Sequence, residues 1–454
     1  MPLETARTAP REIANLLVGP GRVLTPQALL NDAGVLVEDG SISAVGPVAD
    51  IQRAMPAGTP RLDARGGLIL PGAIDAHSHF YSALARGMPP ADPAPTSFPQ
   101  ILERVWWRVD RALSLEDVET SALLGLAECV RCGATTLVDH HSSPNACAGS
   151  LDAIREAVEA VGVRASLCYE VSDRNGPEAA EAAIEENRRF IRALRQRPSE
   201  RIAAHFGLHA LFTLSDETLA RCVAVAREEG VGLHLHVAED PVDVGYNLAH
   251  HGERPVQRLH RHGGLNRRTL AAHGVHLNDA EVALLAEAQA FVAHNPESNL
   301  NNAVGAAPVP GLLARGVRVG LGSDGMSADL FAAARIAFLL HRHVSHDPRL
   351  GWDRVAGPLR ANNAQLASEL FDRPIGAIVV GAAADLVVLD YDPPTPISAE
   401  NFGAHFVFGF GARHVASTVV GGRVLMRERE LLTIDEPTLR RAAREQAAAL
   451  WVRL

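Results

Sequence analysis

The chain has no lysine; all 43 of its strong bases are arginine. That excludes Schiff-base chemistry through a lysine. It also excludes a lysine carbamate, the bridging ligand of some two-metal hydrolases. Any metal site here has to be built from His, Asp, Glu, Cys or water. Cysteine is scarce, with five in 454 residues, too few for a disulfide framework, so a cytoplasmic protein with free thiols is expected. Cys129 and Cys132 form a lone CxxC within a helical pattern (Ser121 to Arg131) and read as two small buried or half-buried side chains. No run of about 18 apolar residues occurs, so no transmembrane helix and no membrane partner are expected. The opening stretch MPLETARTAPRE is polar and lacks the apolar core of a secretory signal. A net charge of −10 lacks the basic surface that phosphates need, which argues against a nucleic-acid partner.

What is present is strand–helix alternation through the middle of the chain. Eight short apolar runs read as strands: Ala73–His77, Thr135–Asp139, Arg164–Tyr169, Ile202–Leu208, Gly232–Val237, Thr269–His273, Ala290–His294 and Val317–Gly322. Helical patterns separate them, as at Leu151–Val161, Ala179–Leu194, Asp216–Glu229, Ala280–Ala288 and Phe331–His341. The expected fold class is therefore α/β, a (β/α)8 TIM barrel over residues 68–375. The flanks are different. Leu16–Val18, Gly34–Glu38 with an Asp39-Gly40 turn, and Ser41–Gly46 read as hairpin strands, as do Asp385–Leu389, Val415–Val420 and Arg423–Met426. Residues 1–67 and 376–454 are expected to build one small β-sandwich from both chain ends, with a terminal helix over Arg440–Leu454. The Pro-rich stretch Pro89–Pro99 interrupts the first unit and reads as a loop over the site.

In such a barrel the active site lies where the strands end, and the polar residues concentrate there. The first strand ends in His77 and His79, and the fifth in His234, His236 and, three residues on, Glu239. The sixth ends in His273 with His276 beyond, and the eighth in Ser323 and Asp324. Residues i and i+2 of a strand share a face, so the imidazoles of His77 and His79 project together. His77, His79, His236 and Asp324 form a candidate site for one divalent ion that leaves a position for water. An ion there lowers the pKa of water towards about 7. Glu239 is the candidate proton shuttle, His273 the candidate electrophilic or orienting group, and Asp324 serves both as ligand and as orienter of the water. His341 and His343 form a second HxH within a helical pattern. Positions i and i+2 do not face each other there, and a solvated face is expected.

These stretches, PGAIDAHSHF, HVAE, AHGVHL and GSDG, resemble the amidohydrolase superfamily in its cytosine-deaminase and chlorohydrolase-like branch. More narrowly, LERVWWRVDRALS, DHHSSPNACAGSL, CYEVSDRNG and HNPESNLNNAVG resemble the aminohydrolases called SsnA. The resemblance covers essentially the whole chain. It implies a metal-dependent hydrolase of non-peptide C–N bonds, acting on a purine, pyrimidine or related heterocycle. The expected reaction is loss of ammonia. Opening of a cyclic amide, dechlorination and a non-catalytic scaffold stand as alternatives. It implies one divalent ion, zinc before iron, at His77, His79, His236 and Asp324, with Glu239 and His273 in acid–base and electrophilic work. His209, in a His-Ala-Leu-Phe-Thr stretch, is implied as a substrate contact. By position alone, Tyr81, Arg86 and His141 are further candidate substrate contacts, and Trp106 and Trp107 candidate caps. A small heterocyclic substrate and a homo-oligomeric state complete the expectation.

Overall fold

A computed structural model describes Ala6, Arg7 and residues 15–454. Of the opening stretch MPLETARTAPRE only Ala6 and Arg7 fall within them, so the reading of that stretch lies outside the described residues. The eight expected barrel strands are all present. They are Ala73–Ser78, Ala134–Asp139, Arg164–Leu167, a fourth in two pieces (Ile202–Ala204 and Phe206–Ala210), Leu233–Val237, Leu270–His273, Phe291–His294 and Arg318–Leu321. Neighbouring strands run parallel. Their residues are almost all buried, as expected of parallel strands covered on both faces.

Two seams join the hydrogen-bonded sheets into a ring. At the fourth strand, Ile202–Ala204 pairs back to the third strand and Phe206–Ala210 pairs forward to the fifth, with the break at His205. At the other seam the first strand meets the eighth. The carbonyl of His77 accepts from the backbone N–H groups of Ser323 (3.0 Å) and Asp324 (2.8 Å), and His79 N–H donates to the Asp324 carbonyl at 3.3 Å. Buried Asp75 braces this junction, its carboxylate accepting from the Ser323 N–H at 3.0 Å and from the Ser323 hydroxyl. Asn363, on the helix Ala356–Phe371, staples it from outside. Its Nδ2 donates to the carbonyls of Ile74 (2.6 Å) and Leu321 (2.8 Å), and its Oδ1 accepts from Leu321 N–H at 2.9 Å. Only glycine fits beneath that amide, because a Cβ at Gly320 would run into Asn363 Oδ1 and the Phe291 ring.

Both chain ends meet in one nine-stranded sheet, and this is the form the expected sandwich takes. Its centre is Leu68–Pro71, antiparallel to Leu386–Leu389 and parallel to Asn15–Leu24. The chain therefore passes from sheet to barrel at Gly72. Asn15–Leu24 continues through Gly19-Pro20-Gly21 with an irregular register, where the sequence suggested an end at Val18. A buried ion pair ties sheet to barrel: Arg164 Nε to Asp385 Oδ2 at 2.7 Å. The expected helices appear as Ser150–Val161, Pro177–Gln196, Asp216–Glu228, Asp279–Glu287 and Leu330–Ser345. The terminal helix begins earlier than the apolar pattern implied, at Glu436, because Asp435 caps it by accepting from Thr438 N–H at 3.3 Å. All five cysteines are free thiols. No helix of the described residues is long and apolar enough to cross a membrane.

The staple gives a stability test. Asn363→Leu strands buried backbone groups of both seam strands, so we expect a loss of about 3 kcal/mol in chemical denaturation. A loss below about 1 kcal/mol means the seam closes without it.

Candidate active site

The strand ends converge as the sequence suggested. His79 Nε2 lies 2.9 Å from Asp324 Oδ1, and His77 Nε2 lies 3.4 Å from the same oxygen. His236 Nε2 lies 3.3 Å from His79 Nε2. Donors about 2.0–2.1 Å from one tetrahedral ion sit roughly 3.3 Å from one another, so these separations are those of a ligand shell. The chemistry of the donors agrees. His77 Nε2 is buried with no hydrogen-bond partner among the described residues, an expensive arrangement unless something else takes its lone pair. His77, His236, His273 and Asp324 also form a group of donors close enough to hold one ion. The donor set thus fits one divalent cation.

Each donor is aimed from behind. His79 Nδ1 donates to the His140 carbonyl at 2.5 Å, and His236 Nδ1 to the His209 carbonyl at 2.9 Å. His273 Nδ1 meets Asn299 Oδ1 at 2.8 Å, which turns Nε2 towards Glu239 Oε2 (3.5 Å) and Asp324 Oδ2 (4.0 Å). Ser298 hydroxyl donates to Asp324 Oδ2, and Asn302 Nδ2 to Glu239 Oε1 at 3.3 Å. Three non-glycine residues at these strand ends take left-handed backbone angles: Ala238 (φ 48°), His273 (φ 75°) and Asp324 (φ 57°). Such strain persists only where the surroundings enforce it, and it clusters at functional sites.

The electrostatics separate acid from base. Burial pushes the Glu239 carboxyl up to about 7, although the His273 imidazole pulls the other way. Burial lowers His77 to about 4. Burial also opposes protonation of His79, but the Asp324 carboxylate overrides it and raises that imidazole to about 9. Asp324 is held well below the usual carboxylate range by His77 and His79, against its burial.

Tyr81 and His209 line the cavity above these donors, as do Trp106 and Trp107. Phe98, near the end of the Pro-rich stretch, lines it too. Arg86 does not. Its side chain is largely exposed and makes paired bonds of 2.7 Å to both oxygens of Glu128, outside the cavity. Closeness in sequence to the HxH says nothing about direction, and the turn Phe80–Ala85 points Arg86 away. His141 is also off the cavity, fully buried behind Tyr81 with Nε2 at 2.8 Å from Ser143 Oγ. His341 is not on a solvated face. It is buried with Nε2 at 3.2 Å from His294 Nε2, while His343 is exposed.

Sequence reasoning missed the wall facing the donors. There Arg174 is clamped between two buried carboxylates, Glu170 Oε1 and Asp110 Oδ2, each at 2.5 Å, with its guanidinium 5.3 Å from the Trp107 ring centre. Burial pushes Asp110 up to about 7, whereas Arg174 outweighs burial at Glu170 and holds it at about 2. Two buried atoms on that wall, Trp107 Nε1 and Asp110 Oδ1, have no hydrogen-bond partner among the described residues. The usable signal was Trp107 and Asp110 in WRVD and the i,i+4 spacing of Glu170 and Arg174.

The pattern of the amidohydrolase family matches residues 68–425. The chain belongs to the amidohydrolase family. It is 35% identical over 421 residues to a 5-methylthioadenosine/S-adenosylhomocysteine deaminase of Desulforudis audaxviator, covering 92% of this chain and 94% of that protein. It is 32% identical over 454 residues to a 5'-deoxyadenosine deaminase of Methanosarcina mazei, covering 97% and 100%. Among solved structures, an adenosine deaminase from Xanthomonas campestris with bound zinc superposes with a TM-score of 0.85 at 28% identity, covering 97% of this chain and 99% of that one. The expected α/β barrel with a sheet built from the chain ends, and the expected hydrolase of carbon–nitrogen bonds, stand on this family and these relatives.

Arg86 supplies a negative control. Because its ion pair is exposed and faces away from the cavity, Arg86→Ala should leave metal stoichiometry unchanged and kcat/KM within about twofold. A tenfold fall would place it back in the site.

Proposed function

We propose that this protein is a metal-dependent deaminase that replaces the exocyclic amino group of a purine-like heterocycle with oxygen, releasing ammonia. The convergence of His77, His79, His236 and Asp324 on one point, with Glu239 and His273 beside it, carries the reading. The first four would hold one divalent ion, zinc or iron, which would supply an activated water at neutral pH. Glu239 takes a proton from the attacking water and passes one to the heterocycle's nitrogen. Its carboxyl, lifted by burial to about 7, can both accept and return a proton at neutral pH. His273, turned by Asn299, holds Nε2 beside Glu239 and Asp324, where it would orient the attacking oxygen. The balance is one water consumed and one ammonia lost, a C–N bond breaking as a C–O bond forms.

The facing wall supports a substrate with a sugar-like arm. Trp107 Nε1 is a donor and Asp110 Oδ1 an acceptor, each without a protein partner among the described residues, and a substrate hydroxyl reaching that wall would satisfy either. Among the described residues that line the cavity, the only guanidinium is Arg174, already held by two carboxylates. A phosphorylated substrate therefore meets excess negative charge. The relatives named as deaminases of 5'-deoxyadenosine and of methylthioadenosine point to the same chemistry. Free thiols suit the cytoplasm, and the family resemblance suggests a homo-oligomer.

Purified protein should carry about one zinc or iron per chain. It should release ammonia from one or more of adenosine, 5'-deoxyadenosine, methylthioadenosine, guanine and cytosine. Glu239→Gln should lower kcat about 10²–10⁴-fold while keeping the ion. Absence of both metals with no rescue by either would sink the proposal, and a product heavier by one water would mean ring opening instead. Asp110→Asn should raise KM roughly tenfold for nucleosides and not for free bases. Equal effects on both would remove the sugar contact.

A further inference from the structure

The three imidazoles proposed as ligands are backed in two different ways. His79 and His236 each donate from Nδ1 to a backbone carbonyl, which no side-chain substitution removes. His77 has a side chain behind it. Its Nδ1 lies 2.8 Å from His234 Nε2. His234 Nδ1 lies 3.6 Å from Cys168 Sγ, and that thiol donates to the Asp139 carbonyl at 3.4 Å. His77, His234, Cys168 and Asp139 are all fully buried, so no solvent intervenes in the line.

Protons along this line can be counted. To offer a lone pair at Nε2, His77 must carry its proton on Nδ1. That proton points at His234 Nε2, which must then be bare. A doubly protonated His234 would set two N–H groups against each other at 2.8 Å. The single proton of His234 therefore sits on Nδ1 and points at Cys168 Sγ. The thiol keeps its own proton for Asp139. Every donor then has an acceptor. In the opposite arrangement His234 donates from Nε2, and the proton of His77 moves to the nitrogen that faces Asp324, which blocks the lone pair.

We infer that His234 is a positioning residue that holds His77 in its ion-binding tautomer, with Cys168 fixing His234 in turn. This rests on the metal reading above. Ligand histidines are usually backed by carboxylates, carbonyls or water. Here the backing is a neutral imidazole and a thiol, so it adds no negative charge to the shell and leaves Asp324 as its one anion. It also makes His77 the one ligand imidazole whose aim a single substitution can release.

The experiment uses full-length, metal-loaded protein. Zinc competition against a chelator should show binding weakened about 10–100-fold in His234→Leu, which keeps the bulk and loses the acceptor. His234→Gln, whose Oε1 accepts, should recover most of the loss. The cobalt-loaded Leu variant should show a shifted absorption spectrum and the Gln variant the wild-type one. Cys168→Ser, which still donates and accepts, should keep affinity, and Cys168→Ala should lose part of it. Nitrogen-15 spectra of the zinc-loaded wild type need no variant and should show both His77 and His234 protonated on Nδ1. Wild-type zinc affinity in His234→Leu, or a proton on His234 Nε2, overturns the relay and leaves the metal site standing. A wild type that binds no ion overturns both.

Discussion

The site depends on how the barrel's first strand closes against its last. One carbonyl, that of His77, accepts from two backbone N–H groups, those of Ser323 and Asp324. This single junction brings imidazoles from early in the chain within reach of a carboxylate from three-quarters of the way along it. The surrounding polar groups serve the same closure: Asp75 from inside, Asn363 from the covering helix. Parallel strands bury both faces, so an open seam here would leave backbone groups without water or partners. The pressure to satisfy those groups is also what holds the ligands together.

Once closed, the ring gathers charged side chains around one cavity. Glu239, Asp324, Glu170 and Asp110 are buried, or nearly so, around one cavity, and the only guanidinium lining it among the described residues is Arg174. The Asp324 carboxylate raises His79 against its burial, and His77 and His79 in turn hold Asp324 low. The left-handed angles at Ala238, His273 and Asp324 belong to the same arrangement, since all three fall at strand ends beside the cluster.

Much of this was legible before any coordinates. The eight strands stood out because parallel strands are short, apolar and separated by helical patterns, and the HxH pairs because strand residues alternate with period two. His77, His79, His236, Glu239, His273 and Asp324 all fall within one cluster. Position without direction failed. Arg86 and His141 follow strand ends closely, yet one turns out to Glu128 and the other turns in behind Tyr81. His341 failed differently, since a helical pattern does not say which face a covering helix turns inward. The wall of Asp110, Glu170 and Arg174 was hidden because Asp110 sits on the short helix Trp107–Ala112 while Glu170 and Arg174 follow the third strand, and no periodicity records how two such segments meet.

The sequence by itself determined the class of fold and the kind of chemistry. Residue type and alternation are local properties, and a missing lysine or a histidine pair on a strand end is read without knowing the fold. Tertiary structure alone decided which atoms meet. It chose the nitrogen each imidazole presents, the carbonyl or side chain that stands behind it, and the wall of Asp110, Glu170 and Arg174 that lines the same cavity. Those choices depend on distances of a few ångströms between residues far apart in the chain, and only the closed barrel sets such distances.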